Sequence, residues 1–292
     1  MAFNWQTFKT RSLTAIIFVV VMLLGLLWNQ WSFFILFSII HFGCWFEYQR
    51  IIGLIDKGYL EITPLHKYGV MIAGWALMLY FTNNSYLIGD LRLHAIGWWL
   101  CLLFAFVLPI IEILFARHMN LRNIGYSALG LIYISLSWSL MIGLRSIPDA
   151  WMSTGGKIFN LGLVIPLTVI FSIWINDTMA YIVGSLIGKT PLSSISPKKT
   201  WEGTIGGILL CIATIGLIAY LLGLSVGDAC VIAAISAIFG TLGDLLESKL
   251  KRMANVKDSG HIMPGHGGFL DRFDSLLIAT PVVWIYVKSF VL

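Results

Sequence analysis

Apolar positions along the chain fall into long runs separated by short polar segments, and about 20 mostly apolar residues are what a helix needs to cross a bilayer. Nine runs approach that length: Leu13 to Trp28, Trp31 to Phe46, Gly69 to Phe81, Ala95 to Phe115, Gly125 to Leu144, Leu161 to Val183, Thr204 to Leu222, Ala229 to Leu246 and Leu276 to Val291. The third is the shortest. Lys9 and Arg11 precede the first run as they would in a signal peptide, but no small-residue cleavage site follows, and bulky Trp28 and Trp31 stand there instead. The first run is therefore expected to be an uncleaved span.

Positive residues are retained on the cytoplasmic side of a membrane. With the N-terminus inside, the inner segments hold 15 of the 19 Lys and Arg, and only Arg92, Arg145, Lys157 and Lys288 fall outside. The expected fold class is an all-α polytopic integral membrane protein of about nine transmembrane helices, with the N-terminus cytoplasmic and the C-terminus outside. Composition agrees: of 292 residues, 11% are charged and 58% hydrophobic, with a mean hydropathy of +0.87. Soluble domains carry roughly 25% charged residues. A net charge of +5 could suggest nucleic acid, but the basic residues sit in short loops between apolar runs rather than on a wet basic surface, so no nucleic-acid partner is expected. No internal repeat is visible, which leaves an inverted-repeat transporter architecture without support. Cys44, Cys101, Cys211 and Cys230 all lie in apolar stretches without CxxC spacing and read as small core hydrophobes.

Charge is uneven along the chain, which suggests two regions: 1–155, five membrane helices, and 156–292, four helices with cytoplasmic loops 184–203 and 247–274. The second loop has nine charged residues in 28, together with Pro264-Gly265-His266-Gly267-Gly268, whose glycines let backbone amides approach an anion. Asp177 and Asp244 lie inside the sixth and eighth runs, where an acid should not face lipid. The eighth helix is expected to continue past the membrane surface. At 100° per residue, Asp244, Glu247, Ser248, Lys251 and Arg252 then share one face while Lys249 points away. A carboxylate, a hydroxyl and two cations on one stripe suit a metal-bound polyphosphate, although similar stripes decorate ordinary amphipathic helices. Asp271 and Asp274 precede the ninth run, where a helix N-terminus favours their ionised form. Gly184 to Thr190 looks like a Walker A loop, but only three residues separate its glycines and no strand precedes it.

Ser248-Lys-Leu-Lys251-Arg252 followed by Lys257-Asp258-Ser-Gly260 and Pro264-Gly265-His266-Gly267-Gly268-Phe-Leu-Asp271-Arg272-Phe-Asp274 resembles the signature of the phosphatidate cytidylyltransferase (CDP-diacylglycerol synthase) family. Asn176-Asp177-Thr178 through Ser196-Pro197-Lys198-Lys199-Thr200-Trp201-Glu202-Gly203 resembles the family's other marked region. The similarity runs from about Asp177 to the C-terminus. Upstream it extends only to hydropathy and to Glu47-Tyr48 at the end of the second run. Met263 departs harmlessly from the family pattern, and Ser185 stands where an Arg is common.

The resemblance implies cytidylyl transfer from CTP to phosphatidate, giving CDP-diacylglycerol and pyrophosphate for phospholipid biosynthesis. It also implies a requirement for Mg2+, with a second cation such as K+ in a paired site, and a homodimer as a further expectation. Asp244 and Asp271 are the metal-holding residues expected, with Asp177, Asp258 and Asp274 behind them. Lys251 and Arg252 join Asp244, Asp271 and Asp177 in catalysis. Ser248, Lys198, Lys199, Lys257, His266, Gly267, Gly268 and Arg272 are expected at the phosphates of CTP and phosphatidate. The enzyme would lie in the inner or plasma membrane with its active site facing the cytoplasm. Two alternatives fit the same residues less well: a CTP-dependent polyprenol kinase, which must deprotonate an alcohol, and a cation-coupled transporter using Asp177 and Asp244.

Overall fold

The structure is a computed structural model that describes residues 5–115, 120–147, 151–154, 157–260 and 267–292. Its helices are α1 (Trp5–Leu27), α2 (Gln30–Ile55), α3 (Pro64–Tyr80), α4 (Leu93–Phe115), α5 (Leu121–Gly130), α6 (Ser137–Arg145), α7 (Leu161–Ile187), α8 (Trp201–Leu222), α9 (Val226–Met253) and α10 (Leu270–Tyr286). A π-helical turn, Leu131–Leu136, joins α5 to α6 into one rod. Two short antiparallel hairpins, Leu87–Ile88 with Leu91–Arg92 and Trp151–Thr154 with Lys157–Asn160, are the strands of the described residues. Each of the nine apolar runs is helical. Seven helices among the described residues are long and apolar enough to cross a bilayer, whereas the apolar stretch Leu13–Leu27 and the 17-residue α3 are shorter. The chain is an all-α polytopic membrane protein.

The helix ends follow from local sequence. Asn29 caps α2 by accepting the Ser32 amide while the Ser32 hydroxyl accepts from the Asn29 N–H, a reciprocal capping box that sets the tight α1–α2 turn. Thr63 caps α3 with Pro64 at its first position, and Thr200 caps α8, which ends at Gly223 with φ of 79°.

The chain divides into two compact units. The first comprises Met1–Ile142 and Met253–Phe273. Its core holds an aromatic ladder in which Phe37 lies 5.1 Å from Trp138 and Trp138 lies 5.8 Å from Phe273. A lipid-facing helix is tethered within this unit by polar groups. Only Leu93, Gly97 and Glu112 of α4 are buried, and the Glu112 carboxylate sits 2.6 Å from His66 Nδ1. His66 Nε2 in turn lies 2.8 Å from the Ser127 hydroxyl, which contacts Tyr59 at 3.1 Å. A carboxylate at membrane depth is stabilised only by such partners.

The second unit comprises Gly143–Arg252 and Asp274–Leu292. Gly203 and Gly207 let α8 press against α7, because a Cβ at either would collide with backbone atoms of Ala180. Cys211, Ile215, Ala233 and Ala237 form a small-residue core between α8 and α9. Gly243 does the same for α9 and α10: a Cβ there would strike the Asp274 carbonyl.

Candidate active site

Two constellations carry the charged residues singled out from the sequence, one in each unit. In the second unit, α9 continues without interruption to Met253, so the predicted stripe forms. Asp244 Oδ1 accepts from the Ser248 hydroxyl at 3.3 Å, and Lys251 Nζ meets Glu247 at 2.5 Å, both one helical turn apart. Lys249 is exposed on the other side. The close approach allowed by Gly243 brings Asp274 beside this stripe, and carboxylate oxygens of Asp244, Glu247 and Asp274 lie within 4.8 Å of one another. Glu247 is fully buried and Asp274 nearly so. Three carboxylates this close repel one another strongly unless cations balance them. Two ammonium groups share that task, with Lys199 ion-paired to Asp244 and Lys251 to Glu247.

Beside the cluster is a cavity of about 490 Å³, within the range of small-molecule sites. Asp177, Asp244, Lys198, Lys199, Thr200 and Thr241 give it polar walls. Asp177 and Asp244, the two acids that should not face lipid, both line it. Lys198 and Lys199 reach it from a loop held by backbone and side-chain bonds. The Leu192 N–H donates to the Lys199 carbonyl at 2.7 Å, and the Trp201 N–H to the Thr190 carbonyl at 2.9 Å. Glu202 accepts the Lys189 and Thr190 amides at 3.2 Å and the Thr190 hydroxyl at 2.9 Å. Glu202 was quoted in the sequence only as part of a motif; the structure shows it closing the loop that carries the lysines. Ser185, standing where an arginine is common, lines the same cavity with a neutral hydroxyl, which leaves Lys198 and Lys199 as its cations among the described residues.

The first unit holds the other constellation. Asp271 Oδ2 accepts from the Ser259 N–H at 2.8 Å and the Gly268 N–H at 2.8 Å. Glu47, from the C-terminal half of α2, accepts from the Phe269 and Leu270 amides, both at 2.8 Å. The Ser259 hydroxyl lies 2.6 Å from Glu47 Oε2 and 2.9 Å from Asp271 Oδ2, so its single proton bridges two carboxylates. The Glu47 carboxylate also stands in for the cap that the N-terminus of α10 lacks locally. Gly260 and Gly268 are needed because any Cβ would overlap the Glu47 carboxylate, and Gly267 because its φ is +81° and its Cβ would meet Asp271. The Gly268 amide, expected at an anionic substrate, is therefore directed at Asp271. Asp271, expected as the leading partner of Asp244, has this loop as its local environment, whereas Asp274, placed behind it, is the acid gathered with Asp244 and Glu247.

Of the remaining expected residues, Arg252, Lys257, Asp258 and Arg272 are exposed on the surface of their elements. His266 lies outside the described residues. Glu47 was noticed in the sequence only by its place in a dipeptide. Glu247 was placed on the stripe but given no separate role.

Comparison with known proteins gives one consistent result. The profile described as the cytidylyltransferase family matches residues 9–290. A phosphatidate cytidylyltransferase of Staphylococcus saprophyticus is 30% identical over 279 residues, 94% of this chain and 97% of that protein. The phosphatidate cytidylyltransferase of Bacillus subtilis is 37% identical over 181 residues, 61% of this chain and 63% of that protein. Chloroplastic phosphatidate cytidylyltransferase 4 of Arabidopsis thaliana is 40% identical over 158 residues, 53% of this chain but 38% of the relative. The last two alignments thus span less than two thirds of the relatives' own lengths. With a match over nearly its whole length and with the acids and lysines of its marked regions gathered at a cavity, the chain belongs to the cytidylyltransferase family.

Proposed function

We propose that the protein transfers a cytidylyl group from CTP to phosphatidate at the cytoplasmic face of the cell membrane, releasing pyrophosphate. The observation that carries this reading is the cavity walled by Asp177, Asp244, Lys198 and Lys199 beside the Asp244, Glu247 and Asp274 cluster. A transporter site would need acids; it would not need a loop clamped to deliver two lysines.

The donor set fits Mg2+, a hard cation that prefers carboxylate oxygens. Asp244, Glu247 and Asp274 would hold it, and when bound it would neutralise polyphosphate charge. The remaining chemistry falls to the chain's own side chains. A phosphomonoester has its second pKa near 6, so phosphatidate arrives as a charged nucleophile and needs no general base. What must be overcome is repulsion between its roughly two negative charges and the triphosphate. Lys198 and Lys199 at the cavity wall stabilise the charge that builds on the transferring group. Asp177, which lines the same cavity, is suited to orient a lysine or a bound cation.

The test is turnover in sealed membrane vesicles. Inside-out vesicles supplied with CTP, phosphatidate and Mg2+ should release pyrophosphate and put the cytidine label into lipid, while right-side-out vesicles should require permeabilisation. Release of CDP with no cytidine in the lipid would replace this reading with a lipid kinase, and solute flux without nucleotide turnover would replace it with a transporter. Equal activity from intact right-side-out vesicles would put the site on the other face.

The stripe on α9 supplies a second expectation. Lys251 is half-buried against Glu247, whereas Lys249 is exposed. Removing the Lys251 ammonium takes the ion-pair partner from the fully buried Glu247 carboxylate beside Asp244 and Asp274, a loss of about 3–5 kcal/mol, whereas a solvated lysine matters little. Lys251→Ala should therefore lose about two orders of magnitude in kcat/KM and Lys249→Ala less than a factor of three. Similar losses from both would sink the assignment of Lys251 to the carboxylate cluster.

A further inference from the structure

At one end of the first unit, cations arrive from four separate elements: Arg50 near the end of α2, Lys57 in the 3-10 turn Lys57–Glu61, Lys67 at the start of α3 and Arg122 at the start of α5. Arg50, Lys57 and Arg122 are exposed and Lys67 is half-buried. A positive residue that only sets membrane orientation needs no fixed place beyond a helix end. These four are held together by bonds between their elements. The Gln49 side chain, beside Arg50, donates to the Lys67 carbonyl at 2.9 Å. The Asn123 side chain, beside Arg122, donates at 3.0 Å to the carbonyl of Gly58, which follows Lys57. The two pairs are joined through Ser127, whose hydroxyl lies 3.1 Å from the Tyr59 hydroxyl and 2.8 Å from His66 Nε2. Gln49, Tyr59, His66, Asn123 and Ser127 are all buried, so the anchors lie inside the unit while the charges stand on its surface.

The fold does not compensate these charges with ion pairs. None of the four is ion-paired among the described residues. Of the acids on the same elements, Asp56 accepts the Gly58 amide at 2.9 Å, Glu61 is exposed, and Glu112 is held by His66 beneath the surface. Lys67 Nζ instead lies 5.8 Å from the centre of the Tyr68 ring. At the other end of the same helices, where the Tyr86 hydroxyl donates to the Gln30 carbonyl, residues 81–92 carry one acid, Asp90, and one cation, Arg92. Leu60, Leu65 and Leu121, close in the chain to the cations, are each more than half exposed. A free anion in water would gain nothing from those leucines. Unpaired cations interleaved with exposed leucines at the end of membrane helices complement a lipid at the interface, with charge-assisted bonds to its phosphate. We infer that this surface, built wholly from residues of the first unit, binds the headgroup phosphate of an anionic phospholipid.

The test uses the full-length protein in detergent, titrated with dioleoyl phosphatidylglycerol or dioleoyl phosphatidylcholine and read by native mass spectrometry. The anionic lipid should bind at least twentyfold more tightly. Each cation beside a lipid headgroup is worth roughly a factor of five in affinity. Lys57→Gln combined with Arg122→Gln should therefore weaken phosphatidylglycerol about twentyfold and leave phosphatidylcholine unchanged. Changing all four cations to Gln should make the two lipids bind alike. Lys57→Arg with Arg122→Lys keeps the charge and should keep the preference within threefold. Lys249→Gln, which removes a charge from α9, should change neither affinity by more than twofold.

Equal affinity of the wild-type protein for the two lipids would overturn the inference. So would a loss in Lys57→Arg with Arg122→Lys as large as in the Gln pair, because the side chains would then serve the fold and not a phosphate. A matching loss in Lys249→Gln would show that only the net charge of the protein matters. Displacement of phosphatidylglycerol by glycerol 3-phosphate at equal concentration would make this a site for a soluble anion, which also overturns it.

Discussion

Asp244→Asn is expected to abolish cytidylyl transfer while leaving a folded protein. Asn keeps the shape of the side chain and its ability to accept from Ser248, 3.3 Å away, but removes the charge. That charge is the one ion-paired with Lys199, and it is one of three carboxylates gathered within 4.8 Å. Loss of the anion frees Lys199 from its position at the cavity wall and, on the proposed reading, removes one of the carboxylates that would hold a divalent cation. Loss of one electrostatic element at a transferring group costs roughly a hundredfold to a thousandfold, and here two are coupled, so the expected fall in kcat is at least a thousandfold. Asp228 is the internal control. It lies near the start of the same helix, accepts from the Tyr286 hydroxyl at 2.8 Å, and can keep that bond as Asn. Asp228→Asn should stay within threefold of wild type. Near-normal activity in Asp244→Asn at ordinary Mg2+ would remove Asp244 from the site, and equal loss in Asp228→Asn would mean that any change on α9 perturbs packing.

Glu47→Ala should be as damaging, from a position in the chain 212 residues away from Ser259. The carboxylate accepts the Phe269 and Leu270 amides and faces the Ser259 hydroxyl, and it is only 8% exposed. Truncation leaves the Phe269 and Leu270 amides without their acceptor and the Ser259 hydroxyl with Asp271 alone, at about 1–3 kcal/mol for each orphaned buried amide. The loss is large enough to release the signature loop without unfolding the aromatic ladder of the first unit. Activity should be lost while melting of the detergent-solubilised protein falls, and the Phe269 and Leu270 amides should exchange their hydrogens faster. Glu47→Gln keeps the volume but can accept with one oxygen only, so intermediate activity is expected. Full activity in Glu47→Ala, or unchanged exchange at the two amides, would show that the start of α10 holds its shape without this anchor.

The features legible in the sequence are those written in local spacing. Hydropathy over twenty residues is enough to choose a membrane helix, because each backbone polar group in such a run is satisfied within the run itself. The Asp244, Ser248 and Lys251 stripe was also legible, since helical geometry places residues four and seven apart on one face and nothing in that stretch stops α9 before Met253. The paired lysines at 198 and 199 were visible for the same reason, being adjacent in the chain and close to a helix start.

Tertiary structure decided which acids meet. Asp271 and Asp274 lie three residues apart and look alike in sequence. Yet the first accepts the Ser259 and Gly268 amides, and the second joins Asp244 and Glu247 because Gly243 admits the backbone of α10. Glu47 carried almost no signal, since a single acid in an apolar helix has no neighbour within a turn to reveal its partner. Its environment is built by glycines at 260 and 268, whose lack of a Cβ makes room for a carboxylate arriving from a distant helix. Periodicity along a helix records which face a residue occupies, whereas contact between helices depends on how closely two backbones approach. That distance was set by single glycines whose partners are remote in the chain, so only the folded structure could show it.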